Sequence, residues 1–185
     1  MTFEETPIPA AWLVGLERHG DERGFFARLF CADVFAGHGL AATFVQVNDS
    51  LSLERGTLRG MHYQLPPAAE VKLVRCVRGA LYDVVLDLRP DSPTFKRSFG
   101  VELSAENRLM LYVPEGCAHG FLTLEPKTEA VYFVTAPYSP ERERGVRWND
   151  PAFAIEWPFE PAVLSDKDRD QRDFDPAWHL PERWA

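Results

Sequence analysis

Between residues 80 and 88, apolar side chains recur at every second position. Tyr82, Val84, Leu86 and Leu88 fall on one face of an extended chain, and Asp83 and Asp87 fall on the other with Val85 between them. Similar short runs predict strands at 73–77, 99–103, 109–113, 121–124 and 130–135. The breaks lie at Arg78-Gly79, at Pro90 to Pro93, at Ser104-Ala105-Glu106-Asn107 and at Pro114-Glu115-Gly116. Upstream, residues 1–18 read as a lead-in segment with a strand, 19–24 as a turn and 25–30 as an extended, aromatic-rich stretch. A short helix is expected over 31–37, with Val34 and Phe35 on its buried face and Gly37 near its end, followed by a strand at 44–48. Strands every 8–12 residues without helices between them predict an all-β sandwich or barrel and exclude a doubly wound α/β sheet.

Past Tyr138 the texture changes. Residues 141–144 alternate in charge, 148–151 form a turn, and Trp157-Pro158 is expected to lay an aromatic ring on the barrel. The charge-dense run 166–175 reads most simply as a solvated helix or loop.

Length and composition narrow the class. The 185 residues are read as one domain over 1–185, long enough to bury about 70% of its unfolded surface without staples. No signal peptide is read at the start, and no apolar run approaches the ~20 residues of a membrane span, so a cytoplasmic protein is expected. Cys31, Cys76 and Cys117 lack paired spacing and are expected to be reduced, buried thiols. A net charge of −8 argues against nucleic acid as a partner, so an anionic substrate must meet a local cluster of cations.

The candidate chemistry centres on Arg59-Gly60-Met61-His62-Tyr63-Gln64. Glycine lets backbone pack closely, so a base and a cation can face one small space. His62 can take a proton near neutrality; on this hexapeptide alone the commoner reading is a core or surface histidine with its bonds satisfied, and the rest of the chain reverses that. Tyr132 alternates with Ala130 and Val134, so it is a candidate acid if that face lines an interior and a core tyrosine otherwise. Lys72 and Arg59 can neutralise a diphosphate or an enolate, or can be surface charges. The spacing Pro-x-Gly-x-x-His at 114–119 resembles the second motif of cupin double-stranded β-helix barrels. The His-x-His of the first motif is missing: His62 is followed by Tyr63 and Gln64, and His19, His38 and His179 lie in loops, a helix end and the tail. Two histidines fall short of a transition-metal site, and no metal or other cofactor is expected.

Nine short stretches, in order, resemble the dTDP-4-dehydrorhamnose 3,5-epimerase family. They are Asp-Glu-Arg-Gly-Phe-Phe at 21–26, Leu-Arg-Gly-Met-His-Tyr-Gln at 58–64, Lys-Leu-Val-Arg at 72–75, Ser-Pro-Thr-Phe at 92–95 and Leu-Ser-Ala-Glu-Asn at 103–107. Val-Pro-Glu-Gly-Cys-Ala-His-Gly-Phe at 113–121, Tyr-Ser-Pro-Glu at 138–141, Trp-Asn-Asp-Pro at 148–151 and Leu-Ser-Asp-Lys-Asp at 164–168 complete the set. The resemblance implies a cupin-like jelly-roll barrel with short peripheral helices. It also implies an isomerase that takes a proton from the carbon beside a 4-keto group on a nucleotide-linked 6-deoxy sugar and returns one to the opposite face.

Carried over residue by residue, His62 is the base, Asp168 orients it and Tyr132 is the acid. Lys72, Arg59 and His119 match contacts to the sugar and the enolate oxygen, and Arg23 matches a diphosphate contact. Gln46 and Asn48 match pocket-lining residues, Tyr138 matches a ring stacked on the nucleobase, and Arg28, Glu143 and Lys167 count among the substrate-binding positions. A homodimer is implied, with the N-terminal arm, about residues 1–30, at its interface and the Arg23 segment reaching into the neighbouring pocket.

Arg28 stands where the family usually has an acidic residue near the nucleotide. Val47 and Asp49 replace a common Asp and His, and Phe133 replaces a frequent lysine. These departures touch the nucleobase and the sugar, leaving open a CDP-linked substrate or inversion at C3 or C5 alone. Rivals of other classes are a metal-dependent cupin, which the missing His-x-His disfavours, and a non-catalytic sugar-nucleotide binding module, which has no use for both His62 and Tyr132.

Overall fold

The computed structural model describes residues 1–180. Its strands are β1 (Thr2–Glu5), β2 (Trp12–Gly15), β3 (His19–Asp21), β4 (Gly24–Phe26), β5 (Gln46–Ser52), β6 (Leu58–Gln64), β7 (Lys72–Arg78), β8 (Ala80–Asp87), β9 (Ser98–Ser104), β10 (Met110–Val113), β11 (Cys117–Thr123), β12 (Thr128–Val134) and β13 (Glu143–Gly145). Three short helices accompany them: α1 (Ala32–Gly37), α2 (Asp166–Arg169) and α3 (Pro176–His179). A six-stranded sheet, β1-β2-β10-β7-β12-β5, and a five-stranded sheet, β13-β6-β11-β8-β9, are antiparallel throughout, and β3-β4 is a separate hairpin. This is the jelly-roll architecture of cupin-like barrels.

One apolar layer joins the two sheets. Val74, Cys76, Leu111 and Ala130 from the first meet Leu81, Val85 and Phe121 from the second. A second layer lies outside β6 and β8, where Val84, Leu86 and Leu88 are covered by Phe153, Trp157, Phe174 and Leu180. The alternation read along β8 is therefore real, but both of its faces are buried. Its carboxylates point into the barrel and are paired there. Asp87 accepts from the Arg89 guanidinium, Ser92 and Thr94, and Asp83 from His119. The expected ring of Trp157 does pack here, and its Nε1 donates to the Trp148 carbonyl at 2.9 Å.

Several expectations shift in detail. The strand expected at 44–48 begins at Gln46, because Phe44 turns into an aromatic cluster with Phe30, Phe35 and Phe133 on the outer face of the larger sheet. The strand expected at 121–124 begins at Cys117, which places His119 on a strand. The N-terminal stretch is only partly an arm: β1 and β2 are integral to the six-stranded sheet, through β2 against β10. Only the β3-β4 hairpin stands off, with Phe25 and Phe26 exposed. The run 166–175 is not simply solvated, since Asp168 is buried, and His179 is buried beneath Tyr63, whose hydroxyl donates to the His179 carbonyl at 2.8 Å. No helix among the described residues is long and apolar enough to cross a membrane.

Candidate active site

Register brings the site together. On neighbouring strands of the five-stranded sheet, His62 of β6 lies directly opposite His119 of β11. The pairing then slips before Arg59 meets Phe121, and Gly60 and Gly120 occupy the slip. A β-carbon on Gly60 would stand 2.5 Å from Gly120 Cα, and Gly60 has φ +132°, a conformation open to glycine and costly for other residues. The close approach suggested by Gly60 in the sequence is made to the neighbouring strand.

Behind each histidine stands a carboxylate. His62 Nε2 lies 2.6 Å from Asp168 Oδ1, and His119 Nε2 lies 2.7 Å from Asp83 Oδ1. Asp168 arrives from the far end of the chain. Backbone bonds tie Ala162 and Val163 to Gly56, and Leu58 to Val163, so the segment runs beside the start of β6. Ser165 then caps α2 by accepting from the Asp168 N–H at 3.1 Å. Burial works to raise the Asp168 titration. The His62 hydrogen bond and charge, the Ser165 hydroxyl and the Gly60 N–H outweigh it and hold the carboxyl below its ordinary value. Asp83 is deeper still. It is fully buried, and its Oδ2 has no partner among the described residues. Sequence reading gave Asp83 no role; the signal was its place facing inward on β8, opposite Phe121 and on the strand beside that of His119.

Tyr132 comes from the other sheet. It shares the inward face of β12 with Ala130 and Val134, both buried, and its ring rests on the barrel core. Burial first, then the charges of Glu70 and Glu143, push its phenol up, against a downward pull from Arg59. Lys72, at the start of β7, is buried with its Nζ 3.2 Å from Glu70 Oε1 and donating to the His62 carbonyl at 3.3 Å. Arg59 is held by Ser52 Oγ and the Leu51 carbonyl.

Between these groups lies a cavity of about 570 Å³, lined by His62, Lys72, His119, Tyr132 and Asp168, with Arg59, Tyr138, Glu143 and Lys167 also on its wall. An adjoining lobe of about 270 Å³ is lined by Gln46, Asn48, Glu70 and again Lys72, Tyr132 and Glu143. Tyr138 is more than half exposed; its hydroxyl donates to Glu143 at 2.8 Å, and Glu143 also pairs with Lys167 at 2.6 Å. Of the expected site residues, Arg23 and Arg28 do not line this cavity. Arg23 is exposed at the hairpin tip and pairs with Asp21, and Arg28 is exposed just beyond.

The thiols take no part. Burial pushes Cys76 up to about 11 and Cys117 up to about 12, so neither is an available nucleophile near neutral pH. Cys31 is half-buried. Among the described residues, no three His, Cys, Asp or Glu side chains cluster as metal ligands would.

The chain that builds this cavity, with its two histidines, its phenol and the buried Lys72, has relatives among known proteins. The family model described as dTDP-4-dehydrorhamnose 3,5-epimerase matches residues 5–175. The protein of that name from Shigella flexneri is 48% identical over 169 residues, covering 91% of this chain and 93% of its own length. A crystal structure of the Bacillus anthracis dTDP-4-dehydrorhamnose 3,5-epimerase, with TDP and PPi bound, superposes with a TM-score of 0.90. It is 46% identical and covers 94% of this chain and 99% of its own. ChmJ, a 3'-monoepimerase from Streptomyces bikiniensis solved with dTDP-quinovose, has a TM-score of 0.86 at 37% identity, covering 95% of this chain and 89% of its own. With the match running through nearly every strand that lines the cavity, the chain belongs to the dTDP-4-dehydrorhamnose 3,5-epimerase family.

Proposed function

We propose that this chain inverts C3 and C5 of a dTDP-linked 4-keto-6-deoxy hexose, with His62 as base and Tyr132 as acid, and with neither metal nor organic cofactor. One observation carries the reading: His62, with Asp168 behind it, and Tyr132 face one cavity from opposite sheets. A proton on carbon next to a ketone is acidic because its loss places the negative charge on oxygen. His62 takes that proton through Nδ1, since Nε2 is committed to Asp168, and the Asp168 carboxylate stabilises the imidazolium formed. The enolate oxygen rests against the Lys72 ammonium, with His119 close by. Tyr132 then gives its proton to the other face of the same carbon and recovers one from solvent, while His62 releases the first.

The rest of the cavity suits the nucleotide. Tyr138 offers an exposed ring for the thymine, and Arg59 and Lys167 offer charge to the diphosphate. The protein acts as a homodimer. The β3-β4 hairpin exposes Phe25 and Phe26, and Val47, Leu51 and Val77 are exposed on the larger sheet, where a second copy covers them and brings Arg23 to the neighbouring cavity. Three free thiols, two of them buried, suit the reducing cytoplasm.

A second reading, inversion at one carbon only, is favoured by the likeness to a 3'-monoepimerase, since one base and one acid serve either carbon. Turnover of dTDP-4-keto-6-deoxyglucose in deuterated water separates the two. Label at both C3 and C5 is expected; label at one carbon alone establishes the mono-epimerase, and label at neither overturns the epimerase.

A further inference from the structure

Glu70 precedes β7 by two residues. Glu70, Lys72, Val74 and Cys76 follow at period two, and the chain is already extended at Val71. Its N–H donates to Thr135 Oγ1 at 2.9 Å, and its carbonyl accepts from the Thr135 N–H at 3.2 Å. Val74 and Cys76 fill the core between the sheets. Lys72 and Glu70 form the cavity end of that row, joined at 3.2 Å with side chains only 9% and 11% exposed.

An ammonium has three protons to place. Lys72 is ion-paired with Glu70 and donates to the His62 carbonyl, which leaves a proton for the cavity. The other carboxylate of this lobe, Glu143, is already engaged by Lys167 and Tyr138. Glu70 is therefore the counter-charge that fixes where Lys72 points. The charged and titratable groups that line the lobe are His62 and Tyr63 from β6, Glu143 from β13, Tyr132 from β12, Tyr138 beyond it, and Glu70 and Lys72 themselves; Arg59, His119, Lys167 and Asp168 line the adjoining cavity.

We propose that Glu70 is a positioning residue for the epimerisation: from the lobe it shares with Tyr132, it aims the Lys72 ammonium at the sugar's ketone oxygen and sets a carboxylate beside the phenol. The proposal rests on the epimerase reading above. Replacing Glu70 by Gln preserves shape and leaves Lys72 an acceptor, but removes the charge. Lys72 then points less firmly, in a site where little water can compensate. The Tyr132 phenol also loses an upward push, second only to burial, so its proton is lost at lower pH than in the wild type.

The test is the pH dependence of kcat and KM for dTDP-4-keto-6-deoxyglucose, from neutral to strongly alkaline, in wild type, Glu70→Gln and Glu70→Asp. In Glu70→Gln, kcat is expected to fall on the order of tenfold while KM barely moves, and the alkaline limb of kcat shifts to lower pH. Glu70→Asp keeps the charge, so its limb stays at the wild-type position although kcat falls with the shorter reach. Competitive inhibition by dTDP, expected to be equal in all three proteins, reports that the site is folded. An alkaline limb that does not move in Glu70→Gln overturns the proposal, and so does an equal shift in both variants, which would mark a packing effect. A wild type that binds dTDP yet exchanges no solvent deuterium into the sugar overturns the epimerase reading itself, a result distinguishable from either.

Discussion

His62 and Asp168 lie 106 positions apart in the chain and meet at 2.6 Å through Nε2 and Oδ1. The contact fixes which ring nitrogen is left for the substrate. Replacing His62 by Asn removes the basic nitrogen, and solvent deuterium should enter the sugar about 10²–10⁴ times more slowly. Asp168→Asn keeps a hydrogen-bonding group but loses the charge that offsets the imidazolium, so a smaller loss of about tenfold to hundredfold is expected. Equal rates of label uptake in His62→Asn and wild type would falsify the base.

Tyr132→Phe separates the two halves of the reaction. Abstraction by His62 should continue, so deuterium still enters the substrate, but the proton returns on the face from which it left. Label uptake without change of configuration is the signature, read by NMR of the sugar ring. Full inversion by this variant would assign the acid to another group.

Acid stability should report the same dyad. Asp168 in the folded protein is held below its ordinary value of 3.8, so its contribution is fully present above that value and drains away as pH falls through the folded value. Asp87, held down by Arg89, Ser92 and Thr94 against the opposing effect of burial, behaves alike. Thermal unfolding from neutral pH to strongly acidic pH should show wild type losing stability steeply once the pH drops below about 4. Asp168→Asn should lose less over that interval; parallel curves would mean that the carboxylate is not stabilised in the fold.

Arg23 is exposed and outside the cavity of its own chain. If it serves a neighbouring subunit, inactive Arg23→Ala and His62→Asn proteins should regain activity when mixed and allowed to exchange subunits. The hybrid then holds one site with both side chains intact. No recovery after verified exchange would place Arg23 at its own site or at none.

Gly120 has no room for a side chain. A β-carbon there would lie 2.7 Å from Met61 Sδ and 2.8 Å from the Arg59 carbonyl. Gly120→Ala should destabilise the protein by about 1–3 kcal/mol, the usual cost of overpacking, measured by denaturant unfolding. An unchanged midpoint would show that the two strands can part without cost.

Much of the sheet architecture was legible because side-chain period and turn residues are local signals. Ala130, Tyr132 and Val134 show it well: their alternation gave one face, and that face is the interior. What alternation cannot give is the cover on the other side. The C-terminal segment buries the outer face of β8, and so Asp83 and Asp87, which look like a solvent face in the sequence, turn inward and pair. Asp168 was reached through a family motif and not through its charged surroundings, where it reads as one carboxylate among many. Glu70 shared a strand face with Lys72 all along, yet an i, i+2 pair of opposite charges next to a proline loop carries no distinctive signal until both are seen to be buried.

His62 and His119 belong to one sheet and Tyr132 and Lys72 to the other, which makes the barrel a stereochemical gauge. Handedness at the sugar carbon depends on whether the hand that removes the proton and the hand that returns it stay on opposite sides of the ring. That separation is kept by Val74, Leu81, Val85 and Leu111, none of which need touch the substrate. A mutation thinning this layer would let the sheets slacken. The enzyme would then scramble hydrogen with solvent while ceasing to invert, and so lose its sense of direction before it loses its fold.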